Sequence, residues 1–191
     1  MKIVVKLPVS KYSPTTELAG AIAGSAWFLK AREEIDAVDS GFCVVDFDGI
    51  RLATVSWLRE GLIALQKYTV AMRPQIVLAV THLEPVVREE LEVALQATSN
   101  VMLSVEDAVN DDIRAVSVLG RLDPALDETL QVVRDKAEFD ASFVSENLKS
   151  VGLSAANNRL AALEARGLLK SERRGRSRFY RPLVELMTYG N

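Results

Sequence analysis

Apolar and polar positions change period along this chain, and each change marks an element. Residues 2–9 are rich in β-branched side chains and end near Pro8, a strand pattern. Tyr12-Ser13-Pro14-Thr15 reads as a helix start, because a proline in the first turn lacks only an N–H that would be unpaired anyway. Leu18, Ile22, Ala26 and Leu29 then follow helical spacing, and Ser40-Gly41 closes the segment. Residues 42–47 (FCVVDF) and 74–81 (PQIVLAVT) are continuous apolar runs, as expected of strands buried on both faces. Between them, Leu58, Leu62 and Leu65 repeat within a second helix at about 54–67. Residues 85–97 predict a third helix with Val86, Leu91 and Leu95 on its apolar side. Two last strands, 101–105 and 113–119, flank the turn-forming Asn110-Asp111-Asp112.

Strands and helices alternating at this length predict an α/β fold with a mixed sheet. Gly120-Arg121-Leu122-Asp123-Pro124 is the expected seam, dividing an α/β domain at 1–120 from a smaller module at 124–191. Beyond it the pattern turns helical, with Leu126, Leu130, Val133 and Ala137 on one face. Residues 140–149 form a short helix with Phe143 or Val144 and Leu148 turned inward. Gly152 supplies a left-handed exit, and Ser154 is the expected N-cap of the next helix. There Ala156, Leu160 and Leu163 make a narrow apolar stripe. Residues 170–183 then read as two short arms around Gly175, a basic β-hairpin.

The composition, 191 residues with 49% hydrophobic and 26% charged, is that of an ordered globular chain. No apolar run approaches the roughly 20 residues that cross a bilayer, and Lys6 interrupts any signal-peptide core, so a cytoplasmic protein is expected. A single cysteine and a single histidine leave no internal disulfide and no His/Cys zinc site, and no cofactor is expected. The net charge of −3 conceals a local excess: between Arg166 and Arg181 stand seven basic residues and one acid, Glu172.

Several features of the C-terminal module occur together and in order: the Gly-Leu-Ser turn at 152–154, Asn158-Arg159-Leu160, Leu163-Glu164, Gly167-Leu168-Leu169 and the basic hairpin. In these the module resembles the winged helix-turn-helix domains of bacterial transcription regulators. The resemblance implies a double-stranded DNA partner, with a recognition helix in the major groove. Ser154 and the small Ala155 would permit close approach, and Asn157, Asn158 and Arg159 would be base readers, since asparagine suits adenine and arginine suits guanine. Arg166, Lys170, Arg173, Arg174, Arg176 and Arg178 would meet phosphates or a narrow minor groove. A single such module reads few base pairs, so a homodimer on inverted half-sites is expected.

In the N-terminal domain, Val44–Ile50 (VVDFDGI) resembles the first motif of haloacid-dehalogenase-type phosphatases, with Asp46 as nucleophile and Asp111-Asp112 as magnesium ligands. Ile50 replaces that motif's threonine, no suitable lysine motif follows and too little chain remains for that fold, so no enzyme is expected. Asp46-Phe47-Asp48-Gly49-Ile50, Leu52-Ala53 and Ser56-Trp57-Leu58 are instead similar to the STAS-like family, small α/β domains related to anti-sigma-factor antagonists. The position phosphorylated in those antagonists is here Val55, flanked by Thr54 and Ser56 as candidate regulatory sites. The resemblance implies sensing, self-association or a protein partner. It also leaves a second function open, a partner-switch interaction module without specific DNA binding. From the residues alone, Asp46 is expected to cap the next helix or to hydrogen-bond loop N–H groups, His82 to sit in a loop, Cys43 to sit in the strand core, and Trp27, Phe28 and Trp57 to be core or dimer contacts rather than the lining of a ligand pocket.

Overall fold

A computed structural model describes residues 2–183, which divide into two compact units between Arg121 and Leu122. The first unit is α/β. Its five-stranded sheet runs β1 (Ile3–Pro8), β3 (Gly41–Asp46), β5 (Ile76–Thr81), β6 (Met102–Val109), β7 (Asp112–Leu119), the first four parallel and the last antiparallel. A two-residue strand β2 (Glu17–Leu18) pairs separately with β4 (Leu52–Ala53). The parallel strands are added in chain order, so right-handed crossovers carry every connecting helix to one face. These helices are α1 (Ala21–Asp36), the run α2 (Val55–Leu58), a wider turn at Arg59–Ile63 and α3 (Ala64–Met72), and α4 (Pro85–Ala97). Under them Trp27, Ile35, Leu62 and Leu91 pack on Cys43, Val45, Leu78 and Val80. Burial also raises the Cys43 thiol to about 11, so it behaves as a small apolar side chain.

The last hairpin of the sheet reaches back to its first strand. Hairpin β6–β7 turns on Asn110 and Asp111, both at positive φ as a two-residue type I′ turn demands. Register shifts between Val105 and Ala108 bend it. Its tip returns to the opposite edge, where the Ile3 N–H donates to the Asp111 carbonyl at 2.7 Å and Lys2 bridges Asp112.

No helix starts at Pro14: the chain runs through β2, and Gly20, at φ +86°, caps α1 instead. The stripe Ile22, Ala26, Leu29 faces outward, with Ile22 89% exposed, while Gly24, Trp27, Ala31 and Ile35 face in. Gly24 decides this, because a Cβ there would lie 2.6 Å from the Trp57 carbonyl oxygen, and only a bare backbone fits against the neighbouring helix. On α4, Val87 is buried and Val86 is exposed.

The second unit packs three helices, α5 (Pro124–Val133), α6 (Ala141–Asn147) and α7 (Leu153–Glu164), with hairpin β8 (Leu169–Arg174) and β9 (Ser177–Pro182). Asp123 caps α5 through the Ala125 N–H at 2.9 Å, and Asp140 caps α6 through the Phe143 N–H at 3.0 Å. Ala137 lies beyond the end of α5 and is exposed. Of the candidates on α6, Val144 is fully buried and Phe143 and Leu148 half-buried. Gly152 is extended at φ −71° and itself caps α7, which places Ser154 inside the first turn rather than at the cap. Phe139 makes a third edge on the hairpin: it and Tyr180 exchange both backbone hydrogen bonds, at 2.9 and 2.7 Å. The C-terminus of α7 closes with Gly167 at φ +70°, the Leu168 N–H reaching the Leu163 carbonyl and the Gly167 N–H that of Glu164.

Candidate nucleic-acid interface

Three buried residues orient α7. Ala156, Leu160 and Leu163 are wholly inaccessible, so the opposite side of the helix carries the exposed Ser154, Ala155 and Asn158. The Asn158 amide has no hydrogen bond among the described residues and is free for a partner. Asn157 is exposed too, but its amide donates to the Leu153 carbonyl one turn earlier, at 3.0 Å.

Arg159, expected to read a base, turns the other way. One terminal nitrogen reaches the Ala125 carbonyl (3.1 Å), Glu128 Oε2 (3.0 Å) and Thr129 Oγ1 (3.3 Å) on α5, and the side chain is only 22% exposed. The signal was present in the spacing. Position 159 is three after Ala156 and four before Leu163, which places it on the margin of the buried stripe. Arg159 is therefore a strut between α7 and α5.

The basic hairpin is also divided. Arg174 forks onto Glu138 with contacts of 2.8 and 2.9 Å and holds Glu172 at 2.9 Å, keeping the Glu172 carboxyl below its ordinary range. Arg178 reaches Glu164 at 2.6 Å and Ser171 at 2.8 Å, joining the hairpin to α7. Arg166 donates to the Ala162 carbonyl. These three arginines are spent on the unit's own architecture. The side chains of Lys170, Arg173 and Arg176 make no hydrogen bond or ion pair among the described residues, and they carry the uncompensated charge, while Arg181 lies close enough to Glu172 to help hold its carboxyl low.

In the first unit, Thr54 is a structural cap. Its hydroxyl accepts from the Gly20 and Trp57 N–H groups, both at 3.4 Å, and pairs with the Ser56 hydroxyl at 3.1 Å. The neighbouring Val55 N–H is taken by Glu90 at 3.2 Å, so a phosphate on either residue would enter a site already holding a carboxylate.

Asp46 accepts from the Asp48 N–H at 3.1 Å and is almost fully buried. It also holds His82 Nδ1 at 2.6 Å and Lys6 Nζ at 2.9 Å, a cluster the sequence pattern did not bring together. Burial pushes its carboxyl up, but the donors from Lys6, His82 and Asp48 outweigh burial and hold it below its usual value. His82 lies in the loop after β5, as expected, at a positive φ of 53°, and its ring pairs with Asp46. Asp111 sits at the hairpin turn, and among the described residues no group of three His, Cys, Asp or Glu side chains is placed to hold a metal ion. No described helix is long and apolar enough to cross a membrane.

Comparison with known proteins gives no matching family, curated protein or solved structure.

Proposed function

We propose that the chain is a DNA-binding transcription regulator whose second unit is a winged helix-turn-helix. Its α7 would enter the major groove and its hairpin would lie on the backbone. The observation that carries this reading is the pairing, within one compact unit, of an exposed helix face of Ser154, Ala155 and Asn158 with three uncompensated cations, Lys170, Arg173 and Arg176, on the adjoining hairpin. Small side chains allow a helix to approach base edges, a free amide offers the donor and acceptor that adenine presents in reverse, and unpaired cations displace counterions from phosphates. The first unit would be a STAS-like domain for sensing or association, and the regulator would act in the cytoplasm as a homodimer on inverted half-sites.

The test is retention of sheared genomic DNA by the purified protein at near-physiological salt, with the retained fragments sequenced. A two-fold symmetric motif supports a dimeric, sequence-specific regulator. Retention without a motif removes specificity from the proposal. No retention overturns it in favour of a partner-switch module that docks on protein.

A further inference from the structure

Two charged residues lie in α7, Arg159 and Glu164, and both side chains are turned to neighbouring elements. Arg159 is held by α5, while Glu164 accepts from Ser171 and from Arg178 on the hairpin, each at 2.6 Å. The outward face of α7 from Ser154 to Ala162 is therefore uncharged. It presents the Ser154 hydroxyl, the Asn158 amide and two methyl groups, Ala155 one turn before Asn158 and Ala162 one turn after it. Arg166, just past the helix, donates to the Ala162 carbonyl at 2.9 Å and adds no free cation to this face.

Base pairs differ in what they ask of such a face. In the major groove guanine shows two acceptors, N7 and O6, which are read by two donors on one side chain, most often an arginine. The one guanidinium of α7 is bound to α5 and cannot do this. Adenine shows an acceptor, N7, beside a donor, its 6-amino group, and a single amide satisfies both. Turned to guanine, the same amide would set its carbonyl oxygen against an acceptor, and a desolvated group left unpaired is unfavourable. Thymine adds a methyl group that packs on alanine and has no counterpart on cytosine.

The hairpin tip leads to the same base pairs by a separate route. Its two-residue turn is Gly175, at φ +64°, and Arg176, which is exposed and makes no hydrogen bond or ion pair among the described residues. An unpaired arginine at a tip suits the narrow, strongly negative minor groove of A·T tracts, where the 2-amino group of guanine is absent.

We infer that each half-site is A·T-rich at both contacts. In the core, an adenine is read by Asn158, with thymine methyl groups against Ala155 and Ala162; in the flank, Arg176 enters the minor groove of an A·T tract. This inference rests on the proposed function and names the class of sequence that the unit selects.

The test selects duplexes from a random-sequence pool with the full-length protein at near-physiological salt. The selected site is then rebuilt with inosine–cytosine in place of A·T pairs, which keeps the minor-groove pattern of A·T but shows the acceptors of guanine in the major groove. The expected result is an A·T-rich half-site in which inosine–cytosine weakens binding about tenfold in the core and changes it by under about twofold in the flank. Asn158→Ala should weaken binding about tenfold and erase the preference at one adenine, and Arg176→Ala should erase the flank preference alone. A G·C core, bound duplexes without base preference, a core that tolerates inosine–cytosine, or an unchanged preference in Asn158→Ala overturns the inference and leaves DNA binding standing. Retention of no duplex at all overturns the proposed function, and this inference with it.

Discussion

Arg159 of α7 and Glu128 of α5 lie 3.0 Å apart, and the same guanidinium nitrogen also reaches the Ala125 carbonyl. The angle of α7 within its unit is thus held by a polar strut as well as by its apolar stripe. Arg159→Ala should lower the unit's stability by about 1.5–3 kcal/mol, the range for hydrogen bonds that involve a charged group. On the proposed function, its effect on DNA affinity should be equal on all sequences, because the guanidinium is bound to α5. Denaturant melting and binding to several unrelated duplexes would check both; a loss confined to one base position would return Arg159 to the groove.

The hairpin arginines should separate by function. Replacing Arg173 and Arg176 together by Ala should lower the slope of log affinity against log salt by about 0.9 for each phosphate that these side chains neutralise, with the fold unchanged. Arg174→Ala frees Glu138 and Glu172, so it should loosen the hairpin first and weaken binding only through that. Salt titrations set beside hydrogen exchange of the hairpin amides distinguish the two cases.

Gly24→Ala tests the helix crossing of the first unit. The new methyl would lie 2.6 Å from the Trp57 carbonyl oxygen and 3.1 Å from the Gly61 nitrogen, both backbone atoms that cannot swing aside. A loss of about 1–3 kcal/mol is expected from overpacking. At Gly61 the nearest atom to an added Cβ is the Gly24 oxygen at 3.3 Å, so Gly61→Ala should be the milder change in the same urea titration.

Asp46 makes the first unit acid-sensitive in a defined window. Its carboxyl titrates below the ordinary 3.8 when folded, so the unfolded chain binds its proton first as pH falls. The stabilisation is complete above that value and is lost as pH drops through the lower folded value. Urea midpoints measured from neutral pH downward should fall more steeply in the wild type than in Asp46→Asn, which carries no such proton linkage. Equal slopes would contradict the cluster with Lys6 and His82.

The α/β class was legible because β3 and β5 are short, nearly continuous apolar runs alternating with segments of helical period, and both strands are buried. The face of α1 was not. Ile22, Ala26 and Leu29 keep helical spacing as well as Gly24, Trp27 and Ala31 do, and the choice was made by a glycine contact with a helix far along the chain. In the candidate interface, the outward direction of Asn158 follows from the stripe beneath it. The diversion of Arg174 and Arg178 does not, because it depends on Glu138 and Glu164, acids that a count over the basic run passes by. The cluster at Asp46 was hidden for a related reason: Lys6, Asp46 and His82 come from three different segments, joined only by strand order.

The contact between Ile3 and Asp111 has a kinetic meaning as well. It joins the first strand of its unit to the last hairpin, so almost the whole unit must have been synthesised before it can form. Loop closure over such a span is entropically late, whereas the neighbouring pairs β1–β3 and β3–β5 close over shorter stretches. A chain emerging from the ribosome would carry a partly built sheet, with β1 lacking the bridge to the hairpin tip, until the segment around Asp112 was free. Pauses in synthesis before that point should lengthen the life of an open form, and pauses after it should not.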